Sequence, residues 1–176
     1  VRRCQGRSVE TSELRLALEE ETGQSLGWFF DQWVMGEGYP TLAVDERYEP
    51  DPGQLVLTIK QTQDGREFRL PLELRVETAE GWVTRRLDLR SRETTFVLPL
   101  AARPLDVLID PSLKLVLKSV SYPRPVERLA RTLANAEEAA ARLEAARALA
   151  TLGGPRAVAT LATALKDYRF WAVRAR

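Results

Sequence analysis

The chain has 176 residues, with 26 basic and 25 acidic side chains, and its net charge of +1 gives no electrostatic attraction to nucleic acid or to an anionic membrane. It contains no histidine and a single cysteine, Cys4. These counts exclude an internal disulfide, a Ser-His-Asp triad, a Cys-His pair and an H-E-x-x-H zinc site. No apolar run approaches the roughly 20 residues that a membrane-spanning helix needs.

Two weaker chemical possibilities remain. A zinc site built from Cys4 and carboxylates would be poor, because Zn²⁺ favours cysteine and histidine ligands. A pair of acidic residues could act as acid and base, but the 25 acids show no recognisable spacing. We therefore predict no catalytic, cofactor-binding or metal-binding residue in this chain.

The first 40 residues predict a helical hairpin. Thr11 is a good helix N-cap, and Leu14 and Leu18 share one apolar face. Gly23 ends this first helix, and Ser25 can cap the second. A hairpin of about 28 residues has too little core to stand alone, so it must pack against the rest of the protein. An acidic run at residues 19–21 is interpreted as a solvated face.

The second helix carries an aromatic face. Trp28, Phe29 and Trp33 fall together at helical spacing, and Asp31 and Gln32 fall on the other side. The aromatic face could line a hydrophobic groove, but aromatic residues at this spacing are more often core, and core is the interpretation we favour. Glycines at positions 36 and 38 and the following Tyr-Pro pair end the helix.

From Leu42 the period of hydrophobicity changes from that of a helix to two, which predicts strands. Pro71 cannot donate to a ladder and suggests an edge strand or a bulge. Asp-Gly at 64–65, Glu-Gly at 80–81 and Asp-Pro at 110–111 mark turns or strand ends. The predicted strands are Leu42–Tyr48, Leu55–Ile59, Phe68–Val76, Trp82–Leu89, Thr94–Leu98, Leu105–Ile109 and Lys114–Lys118. Seven short strands at this spacing favour a sandwich of the immunoglobulin or fibronectin kind.

Four arginines lie close together in these strands: Arg85, Arg86, Arg90 and Arg92. They could form an anion-binding face for a partner. The interpretation we favour is that they occupy alternate exposed positions, because acidic residues are interleaved with them.

A proline-rich linker at 123–125 precedes an internal repeat of 32 residues. The shift aligns Val126 with Val158, Leu129 with Leu161, Ala130 with Ala162, Leu133 with Leu165, Asn135 with Asp167 and Arg142 with Arg174. Each unit is a helix, an Asn or Asp cap and a second helix, which resembles HEAT repeats. Leu143, Ala146 and Leu149 would cover the apolar stripe of the first unit. The stripe of the second unit lacks such cover, so we expect association through residues 157–176 or fraying from about Asp167.

One stretch carries a more specific resemblance. Thr11–Leu14, Gly23 and the run from Leu26 through Trp28-Phe29-Phe30, Gln32-Trp33-Val34 and Gly36-x-Gly38-Tyr39-Pro40 look like the end of the catalytic domain in zinc aminopeptidases of the aminopeptidase N family. In that family a helical tail leads through such a motif into a small β-sandwich, and helical repeats follow. The resemblance implies that this chain is a C-terminal fragment whose parent holds zinc upstream, through two histidines and a glutamate.

The resulting prediction is an α+β chain of three parts: a helical tail (1–40), a seven-stranded β-sandwich domain (41–122) and truncated HEAT-like helical repeats (123–176). By resemblance, the parent removes N-terminal residues from peptides, and this chain is its non-catalytic support for the catalytic domain, which would be its partner. The alternative is a non-enzymatic scaffold or a HEAT-repeat interaction protein with the same architecture. The compartment stays open, with a cytoplasmic one favoured.

Overall fold

The computed structural model describes residue 6 and residues 8–167. The chain divides into two compact units, Val1–Tyr39 and Pro40–Arg176. The described part forms five helices and two sheets. The helices are α1 (Thr11–Thr22), α2 (Gly27–Trp33), α3 (Val126–Asn135), α4 (Ala139–Leu152) and α5 (Gly154–Asp167). The strands are β1 (Thr41–Glu49), β2 (Gln54–Gln61), β3 (Leu70–Thr78), β4 (Gly81–Leu89), β5 (Glu93–Pro99), β6 (Asp106–Ile109) and β7 (Ser119–Ser121).

The first unit is the predicted hairpin with different caps. Thr11 does not cap α1, because Glu10 takes the cap position and its N–H donates to the Glu13 carboxylate at 3.1 Å. Gly23 ends α1 as predicted, with a left-handed φ of 65°. Leu26, not Ser25, precedes α2, and its N–H donates to Glu19 Oε1 at 2.7 Å. Glu19 is therefore a link within the hairpin and not simply part of a solvated face.

The second unit contains a four-stranded sheet in the order β5-β2-β1-β7 and a three-stranded sheet in the order β4-β3-β6. The pairing of β1 with β7 is parallel, and the other pairings are antiparallel. Strands β1 to β6 lie close to their predicted ranges. Pro71 was expected on an edge strand or at a bulge, and β3 is instead the middle strand of its sheet. Pro71 is tolerated at the beginning of β3 because β6 pairs only with Leu74–Glu77, further along the strand.

The predicted strand at Lys114–Lys118 is wrong, and the short strand β7 begins only at Ser119. The reason lies in the preceding turn. Asp110 has a φ of 45°, and its carboxylate accepts the N–H groups of Lys114 and Leu115, each at 3.0 Å. Leu113 also has a positive φ of 50°. The chain is held in a turn there and cannot extend into a ladder.

Helices α3, α4 and α5 share one apolar cluster. Its buried members are Leu129 and Leu133 from α3, Ala145, Ala146 and Leu149 from α4, and Ala157 and Ala164 from α5. Ala130 and Leu143, which were expected in this core, lie outside the cluster. On α5 the buried face is shifted relative to the predicted stripe, because α5 packs on α3 and α4 through Ala157, Leu161 and Ala164. Val158, Ala162 and Leu165 lie on its exposed side.

Candidate functional site

Neither a cluster of metal-ligating side chains nor a membrane-spanning helix is found among the described residues. Within residue 6 and residues 8–167, no three histidine, cysteine, aspartate or glutamate side chains lie close enough together to hold a metal ion. Cys4 lies outside the described residues. Among the helices of the same part of the chain, none has the length and apolarity needed to cross a bilayer.

The aromatic face of α2 differs from the prediction. Phe29 is 42% exposed, Trp28 and Trp33 are half-buried, and the buried residues of this helix are Phe30 and Gln32. The interpretation of Phe29 as core, and of Gln32 as lying on the outer side, is therefore wrong. The seven-residue helix has only about two turns, so small rotations decide which side is covered. Phe29 instead makes edge-to-face contacts with Trp28 and Phe30, each at 5.9 Å between ring centroids.

The four arginines of the strands do not converge on a common point. Arg90 pairs with Asp88, with 2.6 Å between Nη2 and Oδ2. Arg92 donates to the carbonyl oxygens of Gln63 at 2.7 Å and Gly65 at 2.6 Å, so it fixes the turn between β2 and β3. Arg85 and Arg86 are exposed. This arrangement stabilises turns and strand surfaces and offers no shaped anion site.

A polar cluster lies where α3 meets both sheets, and we call it the junction. Its central members are Glu46, Asp106, Tyr122, Arg124, Arg128 and Thr132. Arg128 makes a two-pronged contact with Glu46, with Nη1–Oε2 and Nη2–Oε1 distances of 2.5 and 2.8 Å. The Tyr122 hydroxyl donates to the same carboxylate. Burial and the neighbouring Glu46 carboxylate raise the pKa of Tyr122, so its hydroxyl stays protonated and remains a donor.

Asp106 is the most buried acid of the junction, with 0% of its surface exposed. The Thr132 hydroxyl donates to Oδ2, and the Val107 N–H donates to Oδ1 at 2.9 Å. Arg124 Nη1 lies 3.7 Å from Oδ1 and 3.2 Å from Thr132 Oγ1. Burial raises the pKa of Asp106 above its ordinary value, against the effect of these partners.

Two further ion pairs extend the junction along β3. Arg131 of α3 donates to Glu77 at 3.2 Å. Arg75 reaches Glu138 and Glu137 in the connection between α3 and α4, and its guanidinium lies 5.0 Å from the centroid of the Trp82 ring. The side chains of the junction mainly contact one another across the contact between α3 and the strands, an arrangement typical of a structural connection. Arg128 and Arg131, three residues apart on α3, share one helical face, and Arg124 lies just before that helix; this spacing was the sequence signal that could have found the junction.

A cavity of about 350 Å³ lies beside the junction. It is bounded by β6, by the connection that leads to β7, and by α4. Leu115, Leu117 and Ala141 contribute apolar surface, and Arg124 and Arg147 contribute charge. These two arginines already have protein partners, since Arg147 pairs with Glu144 and Arg124 with Asp106.

Comparison with known proteins gives one partial family match and a strong structural likeness. Residues 141–167 match the model described as the PBS lyase HEAT-like repeat. The matched residues lie in α4 and α5, so the match pairs α4 with α5, whereas the predicted repeat unit paired the helix before α4 with α4. No curated protein matches the sequence. A crystal structure of Legionella pneumophila aminopeptidase A in complex with aspartic acid superposes with a TM-score of 0.78 at 20% identity. The match covers 96% of this chain and 21% of that one, so this chain spans about a fifth of its length.

At this level of identity the likeness shows a shared fold. It extends over almost the whole chain, so the order of helical hairpin, sheets and helices is one that occurs inside a much larger enzyme. The HEAT-like match independently supports a repeat character for the last helices.

Proposed function

We propose that this chain is the non-catalytic C-terminal portion of a zinc-dependent aminopeptidase, in which it supports the catalytic domain. The observation that carries the proposal is the likeness over 96% of this chain to one fifth of an aminopeptidase. The motif from Leu26 to Pro40, which resembles the aminopeptidase N family, points to the same parent. The zinc, the peptide substrate and the catalytic residues belong to the part of that parent that this chain does not contain. The two sheets would be the family's β-sandwich.

The surface of the first unit supports this role. Helix α1 has no buried residue, and Leu14 and Leu18, one turn apart, are both exposed. Phe29, Val34 and Met35 of the following segment are exposed as well. Several large apolar side chains exposed on one small unit are typical of a contact surface. In the proposed parent, the catalytic domain covers them.

Metal content and activity test the parentage. The purified 176-residue chain is expected to bind no zinc and to hydrolyse no fluorogenic aminoacyl substrate. A longer product of the same gene, which includes the sequence preceding Val1, is expected to bind one zinc ion and to turn over that substrate. Stoichiometric zinc in the short chain would overturn the proposal. The zinc-binding pattern of the family is H-E-x-x-H with a glutamate roughly 18 residues after it. A longer product whose upstream sequence lacks this pattern would also overturn the proposal.

The supporting role has its own test. Leu14→Lys with Leu18→Lys places two charges on one face of α1 while keeping good helix formers. We expect the double variant to destabilise the longer protein and to leave the 176-residue chain almost unchanged. Leu16→Lys, on the opposite face and also exposed, is the matched control. Equal effects of the two changes on the longer protein would mean that no specific face of α1 is covered.

A second candidate is a non-enzymatic scaffold with this architecture. The HEAT-like match at residues 141–167 favours it, because such repeats commonly build extended binding surfaces. The same longer gene product decides between the two, since a scaffold would fold without zinc and show no turnover.

A further inference from the structure

The contact between the sheets and the helices is unusually polar. Three arginines in succession along residues 124–131 each meet a carboxylate on a different strand. Arg124 meets Asp106 of β6, Arg128 meets Glu46 of β1, and Arg131 meets Glu77 of β3. Because β1 belongs to one sheet and β3 and β6 to the other, α3 is tied to both sheets at once.

In a fourth contact the arginine is on the strand and the carboxylates are on the helical side. Arg75 on β3 binds Glu137 and Glu138, which immediately precede α4. The apolar part of the same contact is small, with Leu108, Ala136 and Ala141 buried together against a half-buried Trp82. The leucines of α3 are occupied elsewhere, since Leu129 and Leu133 pack on α4 and α5.

We propose that the junction selects one orientation of the helical array on the sheets, and that this is its role in preference to adding stability. Apolar contact is non-directional, so a small patch of leucine and alanine would allow the helices to rock. Buried ion pairs recover little net free energy after desolvation, but they are satisfied in only one geometry. Three pairs oppose rotation of α3, the Arg131 pair being the most exposed of them, and the fourth holds the segment just before α4.

The unsatisfied atoms of the junction agree with this role. Arg75 Nε, Glu77 Oε2, Arg124 Nε and Glu138 Oε2 are buried and have no hydrogen-bond partner within the described part of the chain. A contact built for maximal stability would not bury so many donors and acceptors without partners. The inference deepens the proposed supporting role. It applies equally to a scaffold, so its failure would leave the peptidase parentage untouched.

The test concerns the sub-network formed by Glu46, Tyr122 and Arg128, and replaces all three by apolar residues in the 176-residue chain. The triple variant Glu46→Leu, Tyr122→Phe, Arg128→Leu removes every member of that sub-network, whereas the single variant Arg128→Leu leaves the Glu46 charge buried without its main partner. Nitroxide labels at Val97→Cys on β5 and Ala150→Cys on α4, both exposed positions, report the orientation in a Cys4→Ser background. Distances come from pulsed electron paramagnetic resonance, and stability comes from urea unfolding.

We expect the single variant to lower the urea midpoint, and the triple variant to recover most of that loss while its distance distribution broadens. The matched control is Arg69→Leu with Asp88→Leu, an ion pair within one sheet at 3.0 Å, which should leave the distribution narrow. A triple variant as narrow as wild type would overturn the inference. If that variant also has a urea midpoint as low as that of the single variant, the network provides stability and not orientation. If the triple variant does not fold, Glu46→Gln with Arg128→Gln provides the same comparison with polar, uncharged side chains.

Discussion

The sheets and the N-terminal hairpin differ in how far their apolar side chains are buried. In the sheets, leucines at alternate positions are buried, as Leu70, Leu72 and Leu74 of β3 show. In the hairpin, α1 buries no residue at all, and Leu14 is 51% exposed. Both regions carry clear periodic patterns in the sequence, yet only one of them covers its apolar face within this chain.

The difference teaches what a periodic pattern can establish. Period two or period 3.6 identifies which face of an element is apolar. Covering that face requires a second surface, and the sheets have one within this chain, since their leucines are buried. A hairpin of one three-turn and one two-turn helix has no such surface of its own, because short helices gain most of their stability from packing against other elements.

The largest expected effect separates two phenylalanines, one in each region. Phe68, just before β3, is 1% exposed, and Phe29 in α2 is 42% exposed. Phe68→Ala should lower the free energy of unfolding by about 3–5 kcal/mol, the usual range for a buried aromatic reduced to alanine. Phe29→Ala should change it by less than about 1 kcal/mol, because little burial is lost. Urea unfolding of both variants measures the contrast, and equal losses would refute the comparison of the two regions.

A buried amide gives the next largest effect. The Gln61 side chain accepts the Phe68 N–H at 2.8 Å and donates to the Phe68 carbonyl at 2.8 Å, so it pairs with that backbone as a neighbouring strand would. Gln61→Leu should lower the free energy of unfolding by about 1–3 kcal/mol, because buried backbone groups lose their partners. Gln24→Leu, at an exposed position, is the control. An unchanged unfolding midpoint for Gln61→Leu would mean that water replaces the amide at no cost.

Gln61 also shows where sequence reasoning stops. The strand pattern places it at the end of β2, but nothing in the pattern marks it as buried, since a lone glutamine is usually exposed. The same holds for Asp110, whose turn replaces the strand predicted at Lys114–Lys118. Local periodicity predicted the helices and the first six strands well. The junction was not predicted from the sequence, because its partners, such as Glu46 and Arg128, lie 82 residues apart and are brought together only by the fold.

The junction is a third region to compare, and its stability is expected to depend on pH through Glu46. Burial alone would raise the pKa of Glu46, but hydrogen bonds from Arg128 and Tyr122 and the nearby positive charges hold that pKa below its ordinary value of 4.5. The folded state thus favours the ionised form, and the resulting stability is present above pH 4.5 and is lost as the pH falls through the lower folded-state pKa. The difference in the free energy of unfolding between wild type and Glu46→Gln should therefore shrink in acid.

Urea unfolding at a series of pH values from about 6 to about 3 measures this difference, in the range where a carboxyl group titrates. Asp45→Asn, which removes an exposed carboxylate from the same strand, is the matched control. A difference between wild type and Glu46→Gln that stays constant over the series would show that Glu46 titrates alike in the folded and unfolded chains.

The smallest effect on stability is expected at the outer face of α5, which resembles the hairpin in being uncovered. Val158 is 61% exposed and Leu165 is 52% exposed, whereas Ala157 and Ala164 on the other side are buried. Repeat arrays cover such a face with the next repeat or with a polar cap. The residues that follow Asp167 lie outside the described part of the chain, so the predicted fraying from that point stays a prediction.

Val158→Lys with Leu165→Lys should leave the free energy of unfolding within about 0.5 kcal/mol of wild type, because exposed side chains contribute little. The same double change should abolish any self-association through α5, since two charges would oppose a second copy of the face. Sedimentation over a concentration series measures this, with Val97→Lys on the exposed side of β5 as the control. If wild type is monomeric at every concentration, the outer face of α5 does not drive association. If wild type associates and the double variant associates equally, the contact lies elsewhere, and the exposed face of α1 becomes the next surface to charge.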